Sequence, residues 1–202
     1  MKKVILPILM SAMFVVPAVS HAENQETMKQ SAPKTEQTIQ QTGWVQDGER
    51  WYYINSDGRG KTGWVQEGKD WYHIHRGLME TEWVTVDGEW YYMNEDGKMQ
   101  TGWLQGNGTW YYMNEDGKMQ TGWVKDKGTW YYMNEDGKMQ TGWIQKNDKW
   151  YYMNEDGAMQ TGWLQENGNW YYLQSNGAMA IGEHLIDDTW YTFKDNGILI
   201  GG

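Results

Sequence analysis

Tryptophan recurs in this chain with a period that few folds can accommodate. Fourteen of the 15 tryptophans fall in pairs seven residues apart: Trp44/Trp51, Trp64/Trp71, Trp83/Trp90, Trp103/Trp110, Trp123/Trp130, Trp143/Trp150 and Trp163/Trp170. Successive pairs are offset by 20 residues, with a single step of 19. A period near 20 marks an array of supersecondary units, each unable to bury its apolar face alone. A globular core needs neither this density of indoles nor so fixed a spacing. The pairs therefore read as a ladder of repeated ligand sites.

The unit is clearest from Thr101 to Gln120 and returns almost verbatim from Thr121 and Thr141. Two short runs rich in Trp, Tyr, Val, Leu and Thr flank a polar segment containing Gly or Asn, which is a hairpin signal. The following Asn114-Glu115-Asp116-Gly117 is a second turn, with Gly free to take a positive φ. With residues 106 and 107 as the hairpin loop, Trp103 stands opposite Trp110 and both indoles share one face. Alternation then places Tyr112 on that face and Tyr111 on the other. A two-stranded hairpin is marginal alone, so neighbouring units must stack. No proline follows Pro33 to interrupt a strand.

Eight units are expected over residues 42–202, with hairpins near 42–54, 62–74, 81–93, 101–113, 121–133, 141–153, 161–173 and 181–193. The last carries Glu183 where its first Trp belongs and ends in the apolar, Gly-rich stretch 197–202, as a degraded solenoid cap would. The second is one residue short between Trp71 and Trp83, so its turn at Arg76-Gly77 should differ from the others.

Met1-Lys2-Lys3, an apolar stretch from Val4 to Val19 and then Ser20-His21-Ala22 read as a secretory signal peptide, residues 1–22. The apolar run is interrupted by Pro7, Ser11 and Pro17 and is short for a membrane span. Residues 23–41 are polar and read as a flexible linker, so residues 1–41 are too short for a catalytic domain. The chain has no cysteine, which excludes a disulfide scaffold. Its formal charge is −10, and losing Lys2 and Lys3 with the signal takes it to −12. That balance argues against nucleic acid and anionic membranes as main partners. It suits a cationic ligand.

Two indoles with a third ring at right angles hold a quaternary ammonium through ring quadrupoles and methyl packing, at about 0.5–2 kcal/mol per ring. Three rings give a site of about millimolar affinity. A row of such sites on a polymer of repeated cations gains far more through effective concentration.

The unit Thr-Gly-Trp-(x)6-Trp-Tyr-Tyr-x-Asn-x-Asp-Gly-x-Met resembles the choline-binding repeat of streptococcal cell-surface proteins and phage lysins, over roughly residues 42–195. The resemblance implies an all-β, left-handed β-hairpin solenoid with choline held between consecutive hairpins. The Trp pair of one hairpin, the first Tyr of the next Trp-Tyr-Tyr and a Met from the intervening turn would form each site. Carried onto this chain, the groups are Trp103, Trp110, Tyr131 and Met119; Trp123, Trp130, Tyr151 and Met139; and Trp143, Trp150, Tyr171 and Met159. Further groups are Trp83, Trp90, Tyr111 and Met99, where Glu82 replaces the usual Gly, and Trp64, Trp71, Tyr91 and Met79, beside the shortened connector. At the ends are Trp44, Trp51 and Tyr72, with Gly60 in place of a Met, and Trp163, Trp170, Tyr191 and Met179. The implied partner is phosphocholine on teichoic and lipoteichoic acids, for an exported protein retained on the Gram-positive wall. A host protein partner and a dimer through the last repeat are left open.

Some signals have plainer explanations. The second Tyr of each unit (Tyr112, Tyr132, Tyr152) and about half of the methionines are expected simply to pack the solenoid. The Asn-Glu-Asp-Gly segments lack the spacing of a calcium loop and read as turns. His73 and His75 stand where other units have Tyr and Asn, so drift within a repeat explains them better than a metal site. No nucleophile-elbow context surrounds Ser31, Ser56 or Ser175. The expectation is a protein that is not an enzyme and uses no cofactor or metal. A glucan receptor that stacks sugars on its aromatics is the alternative, and it would favour flat platforms over converging rings.

Overall fold

The computed structural model describes residues 41–202. The signal segment and nearly all of the expected linker lie outside them. The chain divides into two compact units, one ending at Glu80 and one spanning Thr81–Gly202. Every regular element among the described residues is a strand, and all eight expected hairpins form.

The hairpin register differs from the expected one. Gly106 pairs with Thr109, Gln105 with Trp110 and Trp103 with Tyr112, so the loop is Asn107-Gly108 rather than residues 106–107. Asn107 and Gly108 both take positive φ, 51° and 74°, as a two-residue turn matched to the strand twist requires, and Asn-Gly is the dipeptide that adopts it most readily. The slip is two residues in pairing, an even number, so no side chain changes face. Trp103, Gln105, Trp110 and Tyr112 share one side as expected. The two indoles are diagonal neighbours, not directly opposed.

Each hairpin begins with a residue of positive φ, such as Gly102 at 76° and Gly122 at 74°. In the third hairpin that residue is Glu82, at 65°. A side chain in left-handed backbone costs about 1–2 kcal/mol, while glycine gives back part of this through unfolded-chain entropy. Glu82→Gly is therefore expected to stabilise the protein by about 1 kcal/mol. Urea unfolding checks this; an unchanged or lower midpoint would show that the Glu82 backbone is not strained.

Directly opposite that first residue sits the core. Ile74, Met93, Met113, Met133, Met153 and Leu173 are fully buried, each paired across its hairpin with the positive-φ position: Gly63, Glu82, Gly102, Gly122, Gly142 and Gly162. Half of the unit's methionines are thus core, as the sequence suggests, namely those following Tyr-Tyr. In the second unit the hairpins are separate sheets. The connectors tie them together: the Met119, Met139, Met159 and Met179 amides donate to the carbonyls of Trp90, Trp110, Trp130 and Trp150, all at 2.8 Å.

The first unit is one five-stranded sheet, in the order Gly43–Asp47, Arg50–Ile54, Leu78–Met79, Asp70–His75, Gly63–Glu67. Its shortened connector folds differently from the others, as expected. Arg76 (φ 50°) and Gly77 (φ 88°) turn the chain sharply into the strand Leu78–Met79, which pairs on both sides. Gly60 and Gly77 meet backbone to backbone here. A Cβ on Gly60 would stand 2.8 Å from the Gly77 Cα, which explains why the preceding connector, between the first and second hairpins, carries Gly where other units carry Met. At the other end the apolar C-terminus adds a third strand, Leu199–Gly201, to the last hairpin over buried Ala180, Ile186 and Phe193.

Candidate functional site

Three alternating positions on one face, Trp103, Trp110 and Tyr112, lie beside Tyr131 from the opposite face of the next hairpin. The Trp103 and Trp110 rings stand 6.3 Å apart at 86°, and Tyr131 approaches Trp103 to 4.6 Å at 70°. Tyr112 meets Trp103 edge-on from behind at 5.1 Å, and the indole N–H of Trp103 donates to Asp126 Oδ2 at 3.2 Å. Trp103 is therefore fixed on three sides, whereas Trp110 remains 38% exposed. Together they open a cavity of about 340 Å³ lined by Trp103, Trp110, Tyr131, Met139, Glu155 and Asp156.

The same ring geometry recurs. Trp123 lies 6.3 Å from Trp130 and 4.8 Å from Tyr151, and Trp83 lies 6.3 Å from Trp90 and 4.9 Å from Tyr111. Trp163 lies 6.2 Å from Trp170 and 4.8 Å from Tyr191, and Trp143 lies 4.9 Å from Tyr171. In the first unit Trp44 meets Trp51 at 6.4 Å and Tyr72 at 4.9 Å. Trp64 meets Trp71 at 6.3 Å, while Tyr91, expected to complete that group, belongs to the second unit.

The methionines are displaced by one repeat from their expected partners. Met139, not Met119, faces the Trp103 cavity. Met119 is bonded through its amide to Trp90, and its side chain lies under Gly137, where a Cβ would overlap its sulfur. By the same bonds Met159 goes with Trp130 and Met179 with Trp150, in place of the expected Met139 and Met159. Met99 lies under Gly117. Met79 pairs with Ile74 of the Trp64/Trp71 hairpin, on a short strand whose Leu78 pairs with Tyr52 of the Trp44/Trp51 hairpin. Leu199 holds the corresponding place at the C-terminal end, where Met179 was expected.

Two carboxylates at the cavity were not anticipated as site residues. Glu155 and Asp156 belong to a turn held by its own asparagine: Asn154 Oδ1 accepts from the Ala158 and Asp156 amides at 2.8 and 3.1 Å. Tyr112 and Tyr152 do more than pack. Burial raises the Tyr112 and Tyr152 phenol pKa values, Asp126 adding to the first and a hydrogen bond to Glu166 at 3.1 Å to the second.

Residues 81–120, 105–140, 120–161, 140–183 and 160–200 match the family described as choline-binding repeat, and residues 42–59 and 62–74 that described as putative cell wall binding repeat. The chain belongs to the choline-binding repeat family. Among solved structures, it is 33% identical to choline binding protein F from Streptococcus pneumoniae, determined with a peptidoglycan analogue (TM-score 0.73; 80% of this chain, 66% of that one). It is 39% identical to CbpJ from the same organism (TM-score 0.72; 79% and 58%). It is 29% identical to that organism's modular autolysin LytC (TM-score 0.57; 78% and 42%). The chain thus spans two thirds or less of each of these relatives. No curated protein sequence matches it.

Proposed function

We propose that residues 42–202 bind choline head groups on teichoic and lipoteichoic acids, holding an exported, non-enzymatic protein on the Gram-positive wall without a covalent link. The observation that carries this reading is the Trp103, Trp110 and Tyr131 group. Its steep ring angles converge on an open cavity whose remaining polar lining is acidic. A compact cation with apolar methyls gains from each ring face and from each carboxylate. A sugar ring would need a flat platform, which two indoles at 86° do not offer. The near-identical units support binding over catalysis, because repeated sites multiply avidity, whereas a reaction needs one distinctive constellation.

The test is a titration of the exported chain with choline chloride, followed by tryptophan fluorescence and calorimetry against equal sodium chloride. Saturable binding at about millimolar with several sites per chain is expected. The signal should shrink in a Trp110→Ala, Trp130→Ala double variant. A response matching sodium chloride would be a screening effect on an acidic chain and would discard the choline reading.

A further inference from the structure

Successive cages, though nearly identical in their rings, stand in opposite electrostatic surroundings. Around Trp103 are three carboxylates: Asp126 on its indole N–H, and Glu155 and Asp156 on the cavity wall. The corresponding positions around Trp123 can be followed through the structure. Met139 bonds Trp110 and lies under the turn at Gly157, which carries Glu155 and Asp156. Met159 bonds Trp130 and lies under the turn at Gly177 in the same way. That turn carries Ser175 and Asn176, so both carboxylates are gone. Lys146 stands in the position of Asp126, with its ammonium 5.9 Å from the Tyr132 ring, which itself packs on Trp123. Lys125, in the position of Gln105, lies 5.5 Å from the Trp130 ring.

We infer that the Trp123 and Trp103 cages sort quaternary ammonium ligands by the charge of the rest of the molecule. Both cages hold the phosphorylated head group, but the Trp123 cage prefers it over a cation whose remainder is neutral, and at the Trp103 cage that preference is weakened or reversed. This deepens the choline reading and rests on it. A trimethylammonium is attracted by the rings of either cage. A phosphate two carbons away meets Lys125 and Lys146 at one cage and Glu155 and Asp156 at the other, and opposite signs at these distances act in opposite directions. Exposure and salt weaken each pair, so the sorting is graded. An array of this kind engages phosphate-bearing polymer first at its basic cage, while its acidic neighbour discriminates against it.

The indole N–H resonances of 15N-labelled protein report each cage separately, once Trp103 and Trp123 are assigned by single Trp→Phe substitutions. Titrations with choline chloride and with phosphocholine at constant ionic strength give a ratio of the two affinities at each cage. The phosphocholine-to-choline ratio should be at least about threefold higher at Trp123 than at Trp103. Lys125→Gln with Lys146→Gln should lower it at Trp123 alone, and Glu155→Gln with Asp156→Asn should raise it at Trp103 alone. All four side chains are exposed, so the hairpins are kept. Equal ratios at the two cages, or ratios unmoved by either pair of substitutions, overturn the sorting while leaving choline binding in place. If choline moves neither resonance beyond a sodium chloride control, it is the choline reading itself that fails.

Discussion

A Trp110→Ala, Trp130→Ala, Trp150→Ala variant is expected to lose at least about 100-fold in apparent affinity for a surface dense in phosphocholine, while its untouched cages keep their affinity for free choline. Each cage alone is a site of about millimolar strength. Once one is engaged, the next meets its ligand at an effective concentration of about millimolar or more, and arrays gain about 10²–10⁴-fold over a single site. Three of the five Trp pairs of the second unit are lost in this variant, and with them most of that gain. The second indole of each pair is the right one to remove. Trp110, Trp130 and Trp150 are 38–39% exposed, whereas Trp103 also packs on Tyr112 and Tyr131, so its loss would confound binding with folding. Surface plasmon resonance on dense and sparse phosphocholine surfaces separates the effects. A variant within threefold of the parent on the dense surface would mean that retention does not depend on these cages.

The period-2 pattern made the faces of every hairpin legible in the sequence, because an even slip in register leaves faces unchanged. The register is less legible: the composition of the polar segment points to a loop at residues 106 and 107, one step too early, although Asn107-Gly108 carries the signal for a two-residue turn. The methionine partners were not legible. In an array with a period of 20, Met119 and Met139 bear the same local context, and only the backbone bond from Met139 to Trp110 decides which cage each serves. The carboxylates at the cavity were hidden for a related reason. Glu155 and Asp156 follow the hairpin two units on from Trp103, and turn chemistry fully accounts for them locally. His73 read as drift, and the structure shows what the drift costs and how it is met. Its ring replaces a Tyr against Trp64, at 5.0 Å, and its Nδ1 meets Glu80 Oε2 at 2.5 Å, so a buried imidazole is not left unsatisfied.

The two methionines of a unit should answer truncation differently. Met133→Ala is expected to cost about 3 kcal/mol of stability, within the range of about 2–5 for removing a buried Met side chain. Met133 is fully buried, faces Gly122 across its hairpin and bridges to Met139 through the backbone. With no side chain on Gly122 to relax into the space, the cavity persists, and a persistent cavity is what makes such truncations expensive. Each unit depends on its neighbours for burial, so the damage spreads to the adjoining hairpins. Met139 is partly exposed and lines the cage. Met139→Ala should therefore cost less than half as much stability but weaken choline binding at the Trp103 cage, where Met133→Ala at low temperature should not. Urea unfolding and the Trp103 indole resonance, measured on both variants, separate the two roles. Equal losses of stability would mean that the column of buried residues opposite the positive-φ positions is not what holds the hairpins together, and that the connector methionines share that task.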